Sequence, residues 1–124
     1  MLSVMPAREG SPHASEWIVV GAHYDHLGMG GQYSRAPGKR EPHLGADDNA
    51  SGTALVLEVA HRLTHMAQRP ARNVLFASFG AEEIGLIGSR FWIDHPTVPA
   101  AKIVAMINAD MVGRMRQRQL LVDG

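Results

Sequence analysis

Acidic residues and one histidine stand at the ends of short apolar segments in this sequence. His23 and Asp25 follow one such segment, Glu82 and Glu83 follow a second, and Asp110 follows a third. Carboxylate and imidazole ligands suit a catalytic zinc ion, with manganese and cobalt as further candidates. The sequence has no cysteine, which excludes thiolate ligands. The pattern therefore predicts a metal site of oxygen and imidazole ligands.

A turn in the middle of the chain supplies two more acids. Asp47 and Asp48 lie in the stretch GADDNASG, residues 45–52, directly before a helical pattern. Carboxylates brought close together repel one another unless a cation neutralises them. Two divalent ions that share a carboxylate and a water polarise a carbonyl and acidify that water, and a free carboxylate then takes its proton. These acids predict a two-metal hydrolytic site.

The segments that must position these residues alternate between strands and helices. The helical spacing of Leu55, Val56, Val59, Leu63 and Met66 predicts a helix over residues 53–66, capped by Ser51 or Asn49. A second helix is predicted over 83–95, with an inner stripe of Ile84, Ile87 and Phe91 and with Gly85 and Gly88 allowing close approach to the sheet. A long loop is predicted over 28–45. Strands are predicted over 2–5, 17–22, 73–79 and 102–109, and a further strand is predicted to begin within 119–122.

Strands that alternate with helices predict an α/β fold with parallel neighbouring strands. Three of the predicted strands, 17–22, 73–79 and 102–109, are nearly all apolar, which is typical of strands buried on both faces. Ligands of open α/β sheets bind beyond the carboxyl ends of the strands. The acids and His23 are therefore expected to meet at one edge of the sheet.

Composition limits the other classes of protein. The chain has 124 residues, which favours one domain, and 12 basic residues balance 12 acidic ones. That balance gives no support for a nucleic-acid partner, and no apolar run approaches the roughly 20 residues of a membrane span. Residues 1–10 do not have the pattern of a signal peptide.

Four motifs resemble those of metallopeptidase family 28, the co-catalytic zinc aminopeptidases. They are GAHYDHLG, GADDNASG, AEEIGLIGS and INADMVGR, in this order, and the resemblance covers about residues 17–114. It implies a three-layer, zinc-exopeptidase-like fold with a mostly parallel, mixed sheet and helices on both faces. It also implies removal of N-terminal residues from peptides or proteins, and a secreted or periplasmic location typical of relatives.

The resemblance assigns roles to six residues of this sequence. It implies metal ligation by His23, Asp48, Glu83 and Asp110, with Asp48 as the bridging ligand between two zinc ions. It makes Glu82 the general base and Asp25 the acid that orients the imidazole of His23.

One histidine of the family pattern has no counterpart here. The resemblance places it downstream, whereas no histidine follows His95. Residues 1–124 are therefore expected to form a single, partial peptidase catalytic domain. We expect such a chain to hold one zinc ion more tightly than a second and to show little activity by itself.

Two other functions fit the same fold. A glutaminyl-cyclase-like acyl transferase uses one zinc ion, and a non-catalytic relative keeps the fold but loses ligands. The complete set of ligand and base residues in the four motifs favours the hydrolase.

Several residues carry simpler interpretations. Asp47 is predicted to cap a helix, and Glu82 and Glu83 would be ordinary first-turn acids if no metal bound. The alternating arginines 114, 116 and 118 are predicted to form a solvated face. No motif supports metal binding by five further histidines, His26, His43, His61, His65 and His95.

Overall fold

The computed structural model describes residues 1–114 and 121–122. Within these residues, four strands and two helices follow one another in the predicted order. They are β1 (Leu2–Met5), β2 (Trp17–His23), α1 (Gly52–Thr64), β3 (Asn73–Phe79), α2 (Ile87–Asp94) and β4 (Ile103–Asn108).

The four strands form one mixed sheet in the order β1-β3-β2-β4. β2 runs parallel to both β3 and β4, whereas β1 pairs antiparallel with the outer side of β3. His23 lies beside Phe79, and Gly21 lies beside Asn108. The carboxyl ends of β2, β3 and β4 therefore share one edge, which confirms the predicted mostly parallel, mixed sheet.

Successive side chains of the central strands point to opposite faces of the sheet, and a helix lies on each face. Val20 of β2 packs in the cluster that includes Val56 of α1. Val19 and Leu75 belong to the opposite cluster, against which Trp92 of α2 packs. This arrangement confirms the predicted three layers with helices on both faces.

The apolar stripe predicted for the first helix is largely correct. In α1, Val56 is buried and Val59 and Leu63 pack against the core, but Met66 lies beyond the helix and is exposed.

The predicted inner stripe of the second helix is wrong. Ile84, Ile87 and Phe91 are all more than half exposed. The helix begins at Ile87, four residues later than predicted, because Gly85 and Leu86 have positive φ angles of 114° and 60°. Backbone in that region cannot continue a right-handed helix. Trp92 therefore faces the sheet instead.

The predicted burial of the strand over 102–109 is also wrong. β4 pairs only with β2 in the described part of the chain, and its side chains are half-buried or exposed. Among the described residues it is an edge strand, in which Val104 and Ile107 are more than half exposed. Unpaired strand edges favour association with other chains.

Few of the predictions for the end of the chain fall on described residues. Arg116, Arg118 and residues 119–120 of the predicted further strand lie outside the described residues, and Leu121 and Val122 have no regular structure. Neither described helix combines the length and the apolar character that crossing a bilayer requires.

Candidate metal centre

His23 ends β2 with its imidazole buried, and only 3% of the residue is exposed. Its Nδ1 lies 3.1 Å from the backbone oxygen of Asp25. A carbonyl oxygen can only accept, so Nδ1 carries the proton and Nε2 presents a lone pair. Nε2 is buried and has no hydrogen-bond partner in the described part of the chain. This is the tautomer and the environment of a metal-ligating histidine.

Two carboxylates face this nitrogen. Asp48 Oδ1 lies 3.2 Å from His23 Nε2, and Asp110 Oδ1 lies 3.4 Å from it. Ligands bound at 2.0–2.1 Å to a tetrahedral zinc ion stand about 3.3–3.4 Å from one another. The three residues thus fit a divalent ion both by type and by spacing, as a group of possible metal ligands. We call them the His23 cluster.

The other oxygen of Asp48 faces a second group of possible ligands. His26 Nδ1 lies 2.6 Å from Glu83 Oε1 and 4.0 Å from Asp48 Oδ2. The ligand atoms of these three residues lie within 4.8 Å of one another. We call them the His26 cluster. Asp48 belongs to both clusters, which is the arrangement of a bridging carboxylate.

His26 is the member that sequence reasoning missed. No motif role supports it as a ligand, although it follows His23 by only three residues at the end of β2. The useful signal was its position at the acid-bearing edge of the sheet. The other histidines without motif support, His43, His61, His65 and His95, are absent from both groups of possible ligands among the described residues.

The turn Ala46–Ser51, which includes Asp48, is held by a buried asparagine. Asn49 is 1% exposed, and its Nδ2 donates to the backbone oxygen of Ala109 at 2.9 Å. Its Oδ1 accepts from the backbone N–H of Met111 at 3.3 Å. These two hydrogen bonds hold the backbone on either side of Asp110. Asn49 thereby fixes the turn of Asp48 against the segment that carries the other acid.

The prediction that Asp47 caps α1 is wrong. Its Oδ1 accepts from the backbone N–H of Gly113 at 2.9 Å, and its Oδ2 lies 3.3 Å from Arg114 Nε. The N–H of Gly52, the first residue of α1, instead donates to Oδ1 of Asn49 at 2.9 Å. Asn49 is therefore the capping residue of the two candidates, and Asp47 anchors the turn to the chain after β4.

Asp25 holds the acids that follow β3. Its carboxylate accepts the backbone N–H groups of Glu82 at 3.1 Å and of Glu83 at 3.4 Å. Its Oδ1 is 3.7 Å from His23 Nδ1, which is too long for a hydrogen bond. The imidazole is therefore oriented by the backbone carbonyl of Asp25 and not, as predicted, by its carboxylate. Glu82 and Glu83 precede α2, so they are not first-turn acids of that helix.

Glu82 lies beside the His23 cluster without belonging to it. Its Oε2 is 3.9 Å from His23 Nε2. Burial raises the pKa of Glu82, and the charges of Glu83, Asp110 and Asp48 raise it further, against the opposing effect of His23. Burial lowers the pKa of His23, but the surrounding carboxylates outweigh it, so that this pKa is raised. The raised pKa values mean that the Glu82 carboxyl and the His23 imidazole hold their protons more strongly than usual.

Recesses open on both sides of these acids. One of about 140 Å³ is bordered by His23, Glu82 and Asp110. Another, of about 490 Å³, is bordered by Glu83 and His26 together with Tyr33 and Ile84. A small ligand can therefore reach either cluster.

The sequence model of peptidase family M28 matches residues 3–123 of this chain. The chain belongs to peptidase family M28. This M28 chain is 34% identical over 97 residues to leupeptin-inactivating enzyme 1 of Streptomyces exfoliatus, a match covering 77% of this chain and 19% of that enzyme. It is 34% identical over 122 residues to an aminopeptidase of Pseudomonas aeruginosa, covering 98% of this chain and 20% of that enzyme.

A solved structure agrees with the fold. BSAP, a zinc aminopeptidase from Bacillus subtilis, superposes with a TM-score of 0.65 at 30% identity, over 90% of this chain and 24% of that one. The M28 chain described here thus spans about a fifth to a quarter of the length of these relatives.

Proposed function

We propose that this chain carries the metal-binding and proton-transfer residues of a zinc-dependent aminopeptidase, which hydrolyses N-terminal peptide bonds with a metal-activated water. The observation that supports this most is the buried, unpartnered Nε2 of His23, at zinc-ligand spacing from Asp48 and Asp110. Similarity to a zinc aminopeptidase of known structure supports the same conclusion.

The residues divide between two metal positions. His23, Asp48 and Asp110 would hold one zinc ion, and Asp48 and Glu83 would contribute to a second, together with the histidine that the family resemblance places downstream. Bound zinc supplies a Lewis acid that polarises the scissile carbonyl and acidifies a water. The carboxylate of Asp48, which belongs to both clusters, would keep both positions next to the same substrate bond.

Glu82 is the proposed general base. Its carboxylate stands next to His23 Nε2 but outside both ligand groups, so it is free to accept a proton from water. The same carboxyl group then returns that proton to the leaving amine. Asp25 supports this role because it holds the backbone of Glu82 and Glu83 and fixes the tautomer of His23.

The substrates are proposed to be peptides or proteins with a free N-terminus. The carboxylates at this edge favour the positively charged amino group of such a chain. The recess beside Glu83 and His26, of about 490 Å³, offers room for the first side chain.

The test is zinc-dependent turnover of leucine p-nitroanilide. We would assay residues 1–124 alone and extended by the downstream segment of the Pseudomonas aeruginosa aminopeptidase. Slow or no turnover is expected from the former, and turnover that a chelator abolishes and zinc restores is expected from the latter. Conversion of an N-terminal glutamine substrate to pyroglutamate, without release of amino acids, would favour the acyl transferase. Bound zinc with neither activity would favour a non-catalytic domain.

A further inference from the structure

Two histidines lie one turn apart at the carboxyl end of α1, away from the clusters described above. His61 belongs to the last turn of this helix, and His65 follows its final residue, Thr64. Residues four apart on a helix are neighbours on one face. Gly52, at the start of the helix and next to the turn of Asp48, precedes His61 by about 14 Å along the helix axis. The pair is therefore separate from the acid-bearing edge of the sheet.

The two imidazole rings are in contact and open to solvent. Their centroids are 4.3 Å apart, and their planes are tilted by 44°. Both residues are exposed. A dissolved ion can therefore reach both rings at once.

The ring of His65 has a defined donor and a defined acceptor. Its Nδ1 is 2.8 Å from the backbone oxygen of His61. A carbonyl oxygen can only accept, so Nδ1 carries the proton and Nε2 presents a lone pair. The ring of His61 has no hydrogen-bond partner within residues 1–114 and 121–122, so either of its nitrogens can present one. Both imidazoles are thus able to ligate a metal ion.

The spacing of the rings favours one coordination geometry. Imidazoles bound at about 2.0 Å have ring centroids about 4.5 Å apart at adjacent corners of a square-planar ion and about 5.1 Å apart at a tetrahedral ion. The observed 4.3 Å is nearer to the square-planar value. Square-planar coordination by nitrogen and oxygen is typical of divalent copper and nickel, and copper binds such ligands more tightly than nickel or zinc does.

The charges around the pair permit a bound cation. The carboxyl end of a helix carries a partial negative charge that favours cations. Glu58 and Arg62, both exposed on α1, pair with each other at 2.6 Å. This ion pair has no net charge, so Arg62 opposes a bound cation only weakly.

We propose that His61 and His65 form a copper-binding site, in which the two imidazoles occupy adjacent positions of a square-planar Cu²⁺ ion and water completes the coordination. His65 ligates through Nε2 and keeps the hydrogen bond from Nδ1 to the helix. The site has two imidazoles and no carboxylate, unlike the His23 cluster and the His26 cluster. It does not depend on the proposed aminopeptidase function, because neither residue belongs to those clusters.

The end of α2 offers a matched comparison. His95 follows the last residue of α2 as His65 follows that of α1, and its Nδ1 is 3.1 Å from the backbone oxygen of Phe91, four residues earlier. Its ring stacks on that of Phe91 with centroids 4.4 Å apart. A phenyl ring cannot ligate a metal ion. His95 is therefore an exposed histidine with the same local arrangement but with one imidazole instead of two.

The first experiment is a copper titration of the native 124-residue chain, followed by NMR of the histidine rings. A glycine buffer sets the concentration of free Cu²⁺, which is paramagnetic and broadens the signals of the rings that it binds. Two linked ligands bind more tightly than one, so His61 and His65 should broaden together at a free copper concentration at least about tenfold below that which broadens His95. Broadening of His65 at the same concentration as His95, or without His61, would overturn the proposal.

The second experiment measures copper affinity by chelator competition in His61→Asn, His65→Asn and the double variant, with His95→Asn as the control. Each single substitution should weaken the same binding event by about tenfold or more, and the double variant should lose less than about threefold beyond either, because one substitution already destroys the chelate. The control should bind copper as the native chain does. Circular dichroism checks that each variant keeps its helices.

Independent binding by the two rings would give a different result. Each single substitution would then lower copper affinity by less than about tenfold, and the effects of the two would add in the double variant. That outcome would overturn the proposal. The titration of the native chain needs no substitution, so the proposal stays testable if a variant fails to fold. The His23 and His26 signals report copper at the other clusters separately.

Discussion

Two turns bring adjacent polar residues to the edge of the sheet where the His23 and His26 clusters lie, and the two turns are held in opposite ways. In residues 47–49, Asp47 and Asn49 use their side chains for hydrogen bonds to the chain around and after Asp110, so only Asp48 faces the clusters. In residues 82–83, an outside residue, Asp25, holds the backbone, and both glutamates face the clusters.

The two turns differ in which residues provide structural support and which provide the proposed chemistry. The first turn supplies one proposed ligand, Asp48, and its own side chains support it, so substitutions beside Asp48 should mainly affect folding. The second turn takes its support from the residue that follows β2, which leaves two neighbouring side chains for different tasks. Substitutions there should change metal binding or proton transfer with little effect on stability.

The largest effect is expected when Glu82 and Glu83 are substituted one at a time. In the extended, active form, Glu82→Gln should lower kcat by about 10²–10⁴-fold, because it removes the proton acceptor and keeps the shape of the side chain. KM and zinc content should change little. Glu83→Gln should instead weaken zinc binding, and added zinc should partly restore activity. Steady-state kinetics with zinc analysis tests both variants, and an exchange of these two behaviours would show that the roles are reversed.

The next contrast lies within the first turn. Asp48→Asn should lower the affinity for zinc at both positions by about 100-fold or more, because it replaces the carboxylate that both clusters share with a neutral amide. This loss is larger than the roughly 10–100-fold loss that follows removal of a residue that only orients a ligand. Asp47→Asn keeps an oxygen that can accept from Gly113, so zinc affinity should change less than about threefold. Chelator competition measures both. Equal losses of zinc affinity in the two variants would mean that the turn does not separate ligand from anchor.

Much of this arrangement follows from sequence pattern. Apolar segments bounded by turn residues predict the central strands, and β1 and β3 have the predicted bounds. Acids at the ends of such strands must meet at one edge in a parallel sheet. Residue types and their order along the chain are therefore enough to group His23, Glu82, Glu83 and Asp110. Asp48 lies in the turn before α1, and the family resemblance adds it to this group.

The failures have physical causes that a pattern does not record. Helical spacing could not reveal the positive φ of Leu86, which delays α2 and turns Phe91 toward solvent. An apolar composition could not show that β4 lies at an edge of the described sheet. Motifs compare residue types one position at a time, so they could not reveal the meeting of His26 with Glu83, 57 residues apart.

Asn49 offers a smaller effect that tests the support of the first turn. Asn49→Ala should lower the free energy of unfolding of the zinc-free chain by about 2–4 kcal/mol, because it removes three hydrogen bonds and leaves two buried partners, on Ala109 and Gly52, unsatisfied. Ser51→Ala is the matched control. Ser51 is half-buried and bonds to the backbone of Asp47 and Val112, so about 1 kcal/mol is expected. Urea unfolding followed by circular dichroism measures both, and a larger loss in Ser51→Ala would refute the anchoring role of Asn49.

The smallest expected effect concerns the ion pair between Asp47 and Arg114. Asp47 is nearly buried, and a buried carboxylate that depended on Arg114 as its main partner would lose several kcal/mol of stability without it. However, Arg114 has 68% of its side chain exposed, and the 3.3 Å contact is open to water and salt. The bond from the N–H of Gly113 to Asp47 Oδ1 does not depend on the arginine. Exposed ion pairs contribute about 0–1 kcal/mol.

Arg114→Ala should therefore destabilise the chain by less than about 1 kcal/mol, and by still less at high salt, with zinc affinity unchanged. Urea unfolding at low and high ionic strength is the measurement, with Arg90→Ala as a control at an exposed arginine of α2. A loss above about 2 kcal/mol that persists in high salt would mean that Asp47 behaves as a buried charge dependent on Arg114. The first turn would then, like the second, take part of its support from a residue outside it.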